Sequence, residues 1–348
     1  MAKKSLMSVW TRSLQRSFGQ AARSQMQAGA KALKQGLKAA QTAQMSKMAQ
    51  AKRARAPAGP GDWLPGVALG VGGARQFRVF RPPDMVVGER LPLLVMLHGC
   101  GQTAGAFALS TRMNTLAARE RCLLLYPEQD LLANPQGCWN WFATRSGKAQ
   151  AEVALLMAAI DQVCLLYAAD PQRVALAGMS AGASMAALLA TRHPERFKAV
   201  MMHSGVPPGS ANSGLSAMGA MNGRRKASPV MAGAMASGRP LLSLPPLLVI
   251  HGRQDGVVAP ANAHAAVQLW AAAAGAQAGP PRSSQRGKRY AMTTTDFKVG
   301  ARVVACLVEV DHLGHAWSGG AKSQAFSDPL GPDASRLLWR FVSQQFGT

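Results

Sequence analysis

The amino-acid sequence predicts an α/β fold, a mostly parallel sheet with helices on both faces, behind a basic N-terminal tail that is either helical or disordered. Three observations predict it. From about residue 70 onward, short β-branched or leucine-rich runs alternate with longer stretches of helical periodicity. These runs are apolar throughout, the mark of strands covered on both faces, and a parallel sheet buries its strands in that way. Residues 1–60 stand apart: they carry twelve Lys and Arg and no acid, about half of the net charge of +23.

In the tail, Met7, Trp10, Leu14 and Phe18 are spaced by three or four, and Leu33 and Leu37 resume that rhythm between lysines. One greasy stripe on a basic cylinder lies well on an anionic, oily surface. The alternative is a solvated tail with no specific role, and low-acid N-termini with Arg and Ser also resemble organelle transit peptides. The Ala, Pro and Gly of residues 51–62 read as a linker. A catalytic domain is expected over 61–348. Its strands are expected near 76–81, 93–97, 122–126, 173–177, 199–203, 247–250 and 303–310, with helices over 149–167, 181–192 and 332–346. Two segments interrupt the alternation. Residues 210–240 are rich in Gly, Ala, Ser and Met (Met218, Met221, Met231, Met235), which suits a lid over an apolar site or a plain surface loop. Residues 275–288 read as a second, polar and basic insertion.

With 348 residues, 48% of them hydrophobic and 16% charged, the chain can bury a real core. No uncharged apolar run reaches the roughly 18 residues of a spanning helix, and the N-terminus lacks the pattern of a Sec signal. A cytoplasmic or surface-associated location is therefore expected, with export as the alternative. The basic excess points to an anionic partner or surface; a nucleic-acid role ranks last, because no nucleic-acid-binding motif accompanies the charge. Five cysteines (Cys100, Cys122, Cys138, Cys164, Cys306) are too few for a disulfide scaffold and form no CxxC zinc site. Cys100 and Cys138 lie in loop contexts and could pair, which the sequence alone does not decide. Gly70-Val71-Gly72-Gly73 is not followed by a helix, so it is a weak nucleotide signal, and no cofactor or metal is expected.

The sharpest feature is Gly178-Met179-Ser180-Ala181-Gly182 between a strand and an alanine-rich helix. A serine in G-x-S-x-G at such a junction sits on a turn so tight that its neighbours must be small, with its hydroxyl raised at the positive end of a helix. Serine needs a base, and the base needs an orienting carboxylate. Downstream, Asp255 lies just beyond the run 247–250, and His315 lies just beyond 303–310. Asp311 competes with Asp255 but is too close to His315 in sequence to occupy a separate loop; His312 competes with His315. His98, His203 and His251 also end strands and are expected to be structural. The negative charge formed by attack on a carbonyl needs donors, for which the Ala181 amide and the Cys100 amide in Leu97-His98-Gly99-Cys100-Gly101-Gln102 are expected, with Gly101 as the fallback.

The ordered series LLVMLHGCGQ, NPQGCWNWF, RVALAGMSAGASMA, LLVIHGRQDGVV and HLGHAWSGG resembles the polyhydroxybutyrate depolymerase family of esterases, related to feruloyl and acetylxylan esterases, over about residues 70–345. The resemblance implies an α/β-hydrolase fold, with Ser180 as nucleophile, Asp255 and His315 as its partners, and Cys100 and Ala181 as the oxyanion hole. It implies that Gly137-Cys138-Trp139-Asn140-Trp141 lines the cleft, so that Trp139 or Trp141 presses on an ester chain. Trp317, beside His315, is expected to contact substrate as well. A Cys100–Cys138 bridge is implied for exported members. The implied substrates are polyhydroxybutyrate-type polyesters, their oligomers and short acyl esters, and the basic tail is expected to meet a polyester granule or an anionic surface.

Overall fold

A computed structural model describes residues 60–70, 72–224 and 244–347. Nearly all of the basic tail, and Met231 and Met235 of the expected lid, lie outside the described residues.

An eleven-stranded sheet forms the frame. Its strands are β1 (Asp62–Gly70), β2 (Gly73–Arg81), β3 (Leu91–Leu97), β4 (Leu123–Pro127), β5 (Ala169–Met179), β6 (Ala199–His203), β7 (Leu247–Gly252), β8 (Gln277–Ala278), β9 (Arg282–Ser284), β10 (Met292–Val299) and β11 (Arg302–Val310). Their spatial order is β1-β2-β4-β3-β5-β6-β7-β11-β10-β8, with β9 also paired to β10. The six strands from β4 to β11 run parallel, and antiparallel strands close each edge. Two short strands, β12 (Trp317–Ser318) and β13 (Ser327–Asp328), pair separately.

Every residue of β3, β4, β6 and β7 is buried, as the unbroken apolar runs require. Successive side chains enter opposite layers: Leu93, Val95 and Leu97 join one core, Leu94 and Met96 the other. The helices Lys148–Leu166, Ala181–Arg192 and Ala261–Ala274 cover the first layer. The helices Ala104–Thr111, Met113–Glu120 and Ala334–Phe346 cover the second. By length and composition Lys148–Leu166 could cross a membrane. Here it lays Val153, Leu156, Ile160 and Val163 on the sheet, and its buried Glu152 accepts hydrogen bonds from Gln129 and Asn140.

Three parts of the sequence expectation need correction. The linker was expected to run to residue 62, but Asp62 already pairs with Arg81 in the β1–β2 edge hairpin, whose largely exposed β1 is interrupted by Pro65 and Gly66. Strand β10, Met-Thr-Thr-Thr-Asp-Phe-Lys-Val, was missed because its residues are only half-buried or exposed near the end of the sheet and form no apolar run. Residues 275–288 are not a free insertion, since β8 and β9 within them hydrogen-bond to β10.

Candidate functional site

The parallel strands β3, β5, β7 and β11 all end on one edge, so the loops that follow them converge there. Ser180 follows β5 with φ 54° and ψ −122°, a backbone conformation that side chains other than Gly rarely adopt. It is held by its own N–H, which donates to His203 O at 2.8 Å, and by its carbonyl, which accepts from Ser184 N at 3.1 Å. The flanking glycines are a steric requirement. A Cβ on Gly178 would lie 2.4 Å from Gly182 main-chain atoms, and one on Gly182 only 2.1 Å from Leu97 O. Helix Ala181–Arg192 starts at once, directing its dipole at the serine.

His315, in the loop after β11, sets Nε2 3.0 Å from Ser180 Oγ and Nδ1 2.8 Å from Asp255 Oδ2. Asp255, after β7, has a fully buried side chain, and its Oδ1 accepts from the Val257 and Val258 amides, each at 2.9 Å. Burial alone would raise this carboxyl, but hydrogen bonds from His251 and His315 outweigh it and hold it far below the usual carboxylate range. The carboxylate is thus ionised and fixed, able to keep the proton on Nδ1 of His315 and leave Nε2 facing the hydroxyl. The competing residues lie elsewhere. Asp311 pairs with Arg253 Nη1 at 2.8 Å, and His312 reaches Gln254 and the Tyr290 ring.

His98 and His203 have structural partners. His98 Nε2 accepts from Gln129 N at 3.1 Å while Nδ1–H donates to Gly99 O at 2.8 Å. His203 accepts from Ser318 N at 3.1 Å and stacks on Trp317. His251, expected to be structural, reaches the carboxylate. Its Nε2 lies 2.9 Å from Val258 O and 3.3 Å from Asp255 Oδ2, both acceptors, so that nitrogen carries the proton. The signal in the sequence was its position four residues before Asp255, at the end of the same strand.

The Cys100 and Ala181 residues border the cleft, and among the described residues neither amide is spent on another hydrogen bond. Gly101, the fallback, has its N–H engaged by Gln136 O at 3.0 Å. A disulfide joins Cys100 to Cys138 and so ties the loop after β3 to the rim that carries Trp141. The cleft encloses about 590 Å³ and is mostly apolar, walled by Trp141, Phe142, Val206, Met218, Met221 and Val257. Met218 and Met221, on helix Gly214–Met221, are the methionines of the expected lid segment that fall among the described residues. Two expected contacts are corrected. Trp139 is fully buried, donating Nε1–H to His98 O at 3.0 Å beneath Arg75. Trp317 is also fully buried, between His203 and Phe107, with Nε1–H on Ser335 Oγ. Neither lines the cleft, because each ring is packed into the core and its indole N–H is spent on a buried acceptor. Phe326, outside every quoted motif, and Val257, inside LLVIHGRQDGVV but given no role there, line it as well.

Solved structures share this fold. An acetyl xylan esterase from Aspergillus awamori superposes with a TM-score of 0.58 at 21% identity, covering 73% of this chain and 94% of the other. The S-formylglutathione hydrolase of Staphylococcus aureus gives 0.52 at 12% identity, covering 84% and 100%. In sequence, the chain is 32% identical over 186 residues to poly(3-hydroxyalkanoate) depolymerase C of Paucimonas lemoignei, covering 51% of this chain and 44% of that protein. It is 33% identical over 116 residues to feruloyl esterase B of Neurospora crassa, covering 33% and 39%. The chain therefore spans less than half the length of these two relatives. The Esterase PHB depolymerase family model matches residues 76–279, a stretch that takes in the elbow serine, the buried carboxylate and the disulfide, and the chain belongs to that α/β-hydrolase family.

Proposed function

We propose that this chain is a serine carboxylic ester hydrolase that cleaves hydroxyalkanoate polyesters, their oligomers and short acyl esters. The observation that carries the proposal is the hydrogen-bonded relay from Ser180 Oγ through His315 to Asp255, at 3.0 and 2.8 Å. In the reaction, His315 Nε2 takes the Ser180 proton as Oγ attacks the ester carbonyl. The Cys100 and Ala181 amides donate to the resulting oxyanion, each such donor contributing about 3 kcal/mol in sites of this kind. The C–O bond to the leaving alcohol breaks as His315 returns the proton to it. Water, deprotonated by His315, then attacks the acyl-enzyme, and the acid departs as Ser180 recovers its proton. Asp255 stays ionised throughout and stabilises the imidazolium.

Two relatives named as polyhydroxyalkanoate or polyhydroxybutyrate depolymerases, together with a cleft whose walls are apolar, support the polyester reading. Relatives named feruloyl and acetylxylan esterases support a second reading, a carboxylesterase of plant-polysaccharide esters. Release of nitrophenol from p-nitrophenyl butyrate, set beside hydroxybutyrate trimers, acetylated xylan and methyl ferulate, separates the two. Ser180→Ala should lower every turnover by about 10⁴-fold or more, and full activity in it would exclude the nucleophile. The twelve uncompensated bases of residues 1–60 support a granule- or membrane-binding tail. A truncation beginning at Gly61 should then keep soluble-ester turnover and lose co-sedimentation with granules; unchanged sedimentation would defeat that role.

A further inference from the structure

A second cleft, of about 910 Å³, shares no lining residue with the first. Six arginines line it: Arg112, Arg119, Arg286, Arg289, Arg336 and Arg340. They come in pairs from three separate chain segments, so only folding gathers them. A single carboxylate, Asp333, lines the cleft with them; its Oδ1 caps the last helix through Arg336 N at 3.1 Å and its Oδ2 lies 3.5 Å from Arg336 Nε. Two guanidiniums are held by main-chain carbonyls, Arg112 on Gly319 O and Arg289 on Gly331 O. Arg119 is paired with Glu120, while Arg286 and Arg340 have no carboxylate partner among the described residues.

We infer that this cleft binds a polyphosphate moiety. Among the described residues only Arg119 and Arg336 of the six have a carboxylate partner, so a bound anion would relieve the mutual repulsion of the others. Every cation lining it is arginine and none is lysine. The planar guanidinium fork matches phosphate oxygens two at a time, which an ammonium cannot do. The two arginines tethered to carbonyls keep their remaining donors pre-aimed, so less rotamer freedom is lost on binding. A single phosphate would leave most of the guanidiniums, and most of a cleft in the size range of ligand sites, unused. The same chemistry occurs in inorganic polyphosphate and in nucleotides; Leu116, Met292 and Leu337 supply an apolar wall on which a base could rest.

The test is calorimetric titration of the full-length chain with inorganic tripolyphosphate, ATP and citrate at 0.15 M salt. Tripolyphosphate should bind, and citrate at least tenfold more weakly. ATP binding equal to that of tripolyphosphate assigns the free polyphosphate, and tenfold tighter ATP binding assigns the nucleotide. The pair Arg286→Ala and Arg340→Ala should raise Kd at least tenfold. Arg145→Ala with Arg192→Ala, which removes the same charge from exposed positions outside this cleft, should leave it within twofold. Because the basic tail is present in both, the difference reports the cleft alone. Arg286→Lys with Arg340→Lys keeps the charge and the stems, and should still weaken binding at least threefold. Absence of tripolyphosphate binding, citrate binding as tight, equal losses in the two alanine pairs, or wild-type affinity in the lysine pair would each overturn the inference.

Discussion

Gly182→Ala tests how the elbow is held. The added Cβ would sit 2.1 Å from Leu97 O and 2.5 Å from His98 O, where real Cβ contacts essentially never fall below 3.0 Å. Both obstacles are main-chain atoms and cannot rotate aside. Either the loop after β3 or the helix after Ser180 must retreat by about 1 Å, a misplacement that costs about 10²-fold in rate when it affects reacting groups. Here it does affect them, because the same loop continues to the Cys100 amide proposed to receive the oxyanion. We therefore expect kcat for p-nitrophenyl butyrate to fall about 10²-fold, equivalent to about 2.7 kcal/mol of transition-state stabilisation. KM should move little, since the cleft walls are untouched. Overpacking should also destabilise the fold by about 1–3 kcal/mol, read as a lower Tm. Gly105→Ala is the control: a Cβ there meets nothing within 4 Å, in helix Ala104–Thr111, so kcat should hold and stability should rise slightly. Wild-type kcat and Tm in Gly182→Ala would refute the steric account.

Three further outcomes follow from the same geometry. Burial, reinforced by the charges of His251 and His315, pushes His203 down to about 3, whereas an unfolded histidine titrates near ~6.5. The unfolded chain therefore binds the extra proton first, and stability falls as pH drops from ~6.5 toward about 3. Urea midpoints at pH 7, 5 and 4 should decline more steeply in the wild type than in His203→Gln, and identical declines would remove His203 as the cause. Trp141→Ala should raise KM for hydroxybutyrate trimers more than for an acetyl ester. Trp317→Ala should instead lose about 3–5 kcal/mol of stability, since its ring is core and not wall; chemical denaturation beside substrate kinetics tells the two apart. Reducing Cys100–Cys138 opens a 38-residue loop and should cost about 4 kcal/mol by chain entropy, measured as a shifted denaturation midpoint. No shift would mean that the loop after β3 is held by its other bonds.

The α/β alternation, the elbow serine and the chain order in which Asp255 and then His315 follow Ser180 were all legible in the sequence. Each is local: an apolar run bounded by turns, two glycines around a serine, a polar residue just past a strand. Strands β1 and β10 were not legible, because toward the ends of the sheet the strands are largely exposed or half-buried, so β1 tolerates Pro65 and Gly66 and β10 a run of threonines in place of an unbroken apolar run. The tryptophans divided in the same way. Trp139 and Trp141 sit two residues apart in one loop, yet only Trp141 borders the cleft, and nothing local distinguishes them. The second hydrogen bond to Asp255 from His251, the commitment of the Gly101 amide to Gln136, and the covalent tie from Cys100 to Cys138 likewise depend on which loops meet at the end of the sheet.

By itself, then, the sequence determined the layers of the fold and the identity of the serine, because periodicity and turn sterics act over a few residues. Only the tertiary structure decided which carboxylate faces His315, which aromatic rings reach the cleft, and that arginines from three segments line one groove. Those outcomes depend on the packing of segments far apart along the chain, whose separation in space no local pattern encodes.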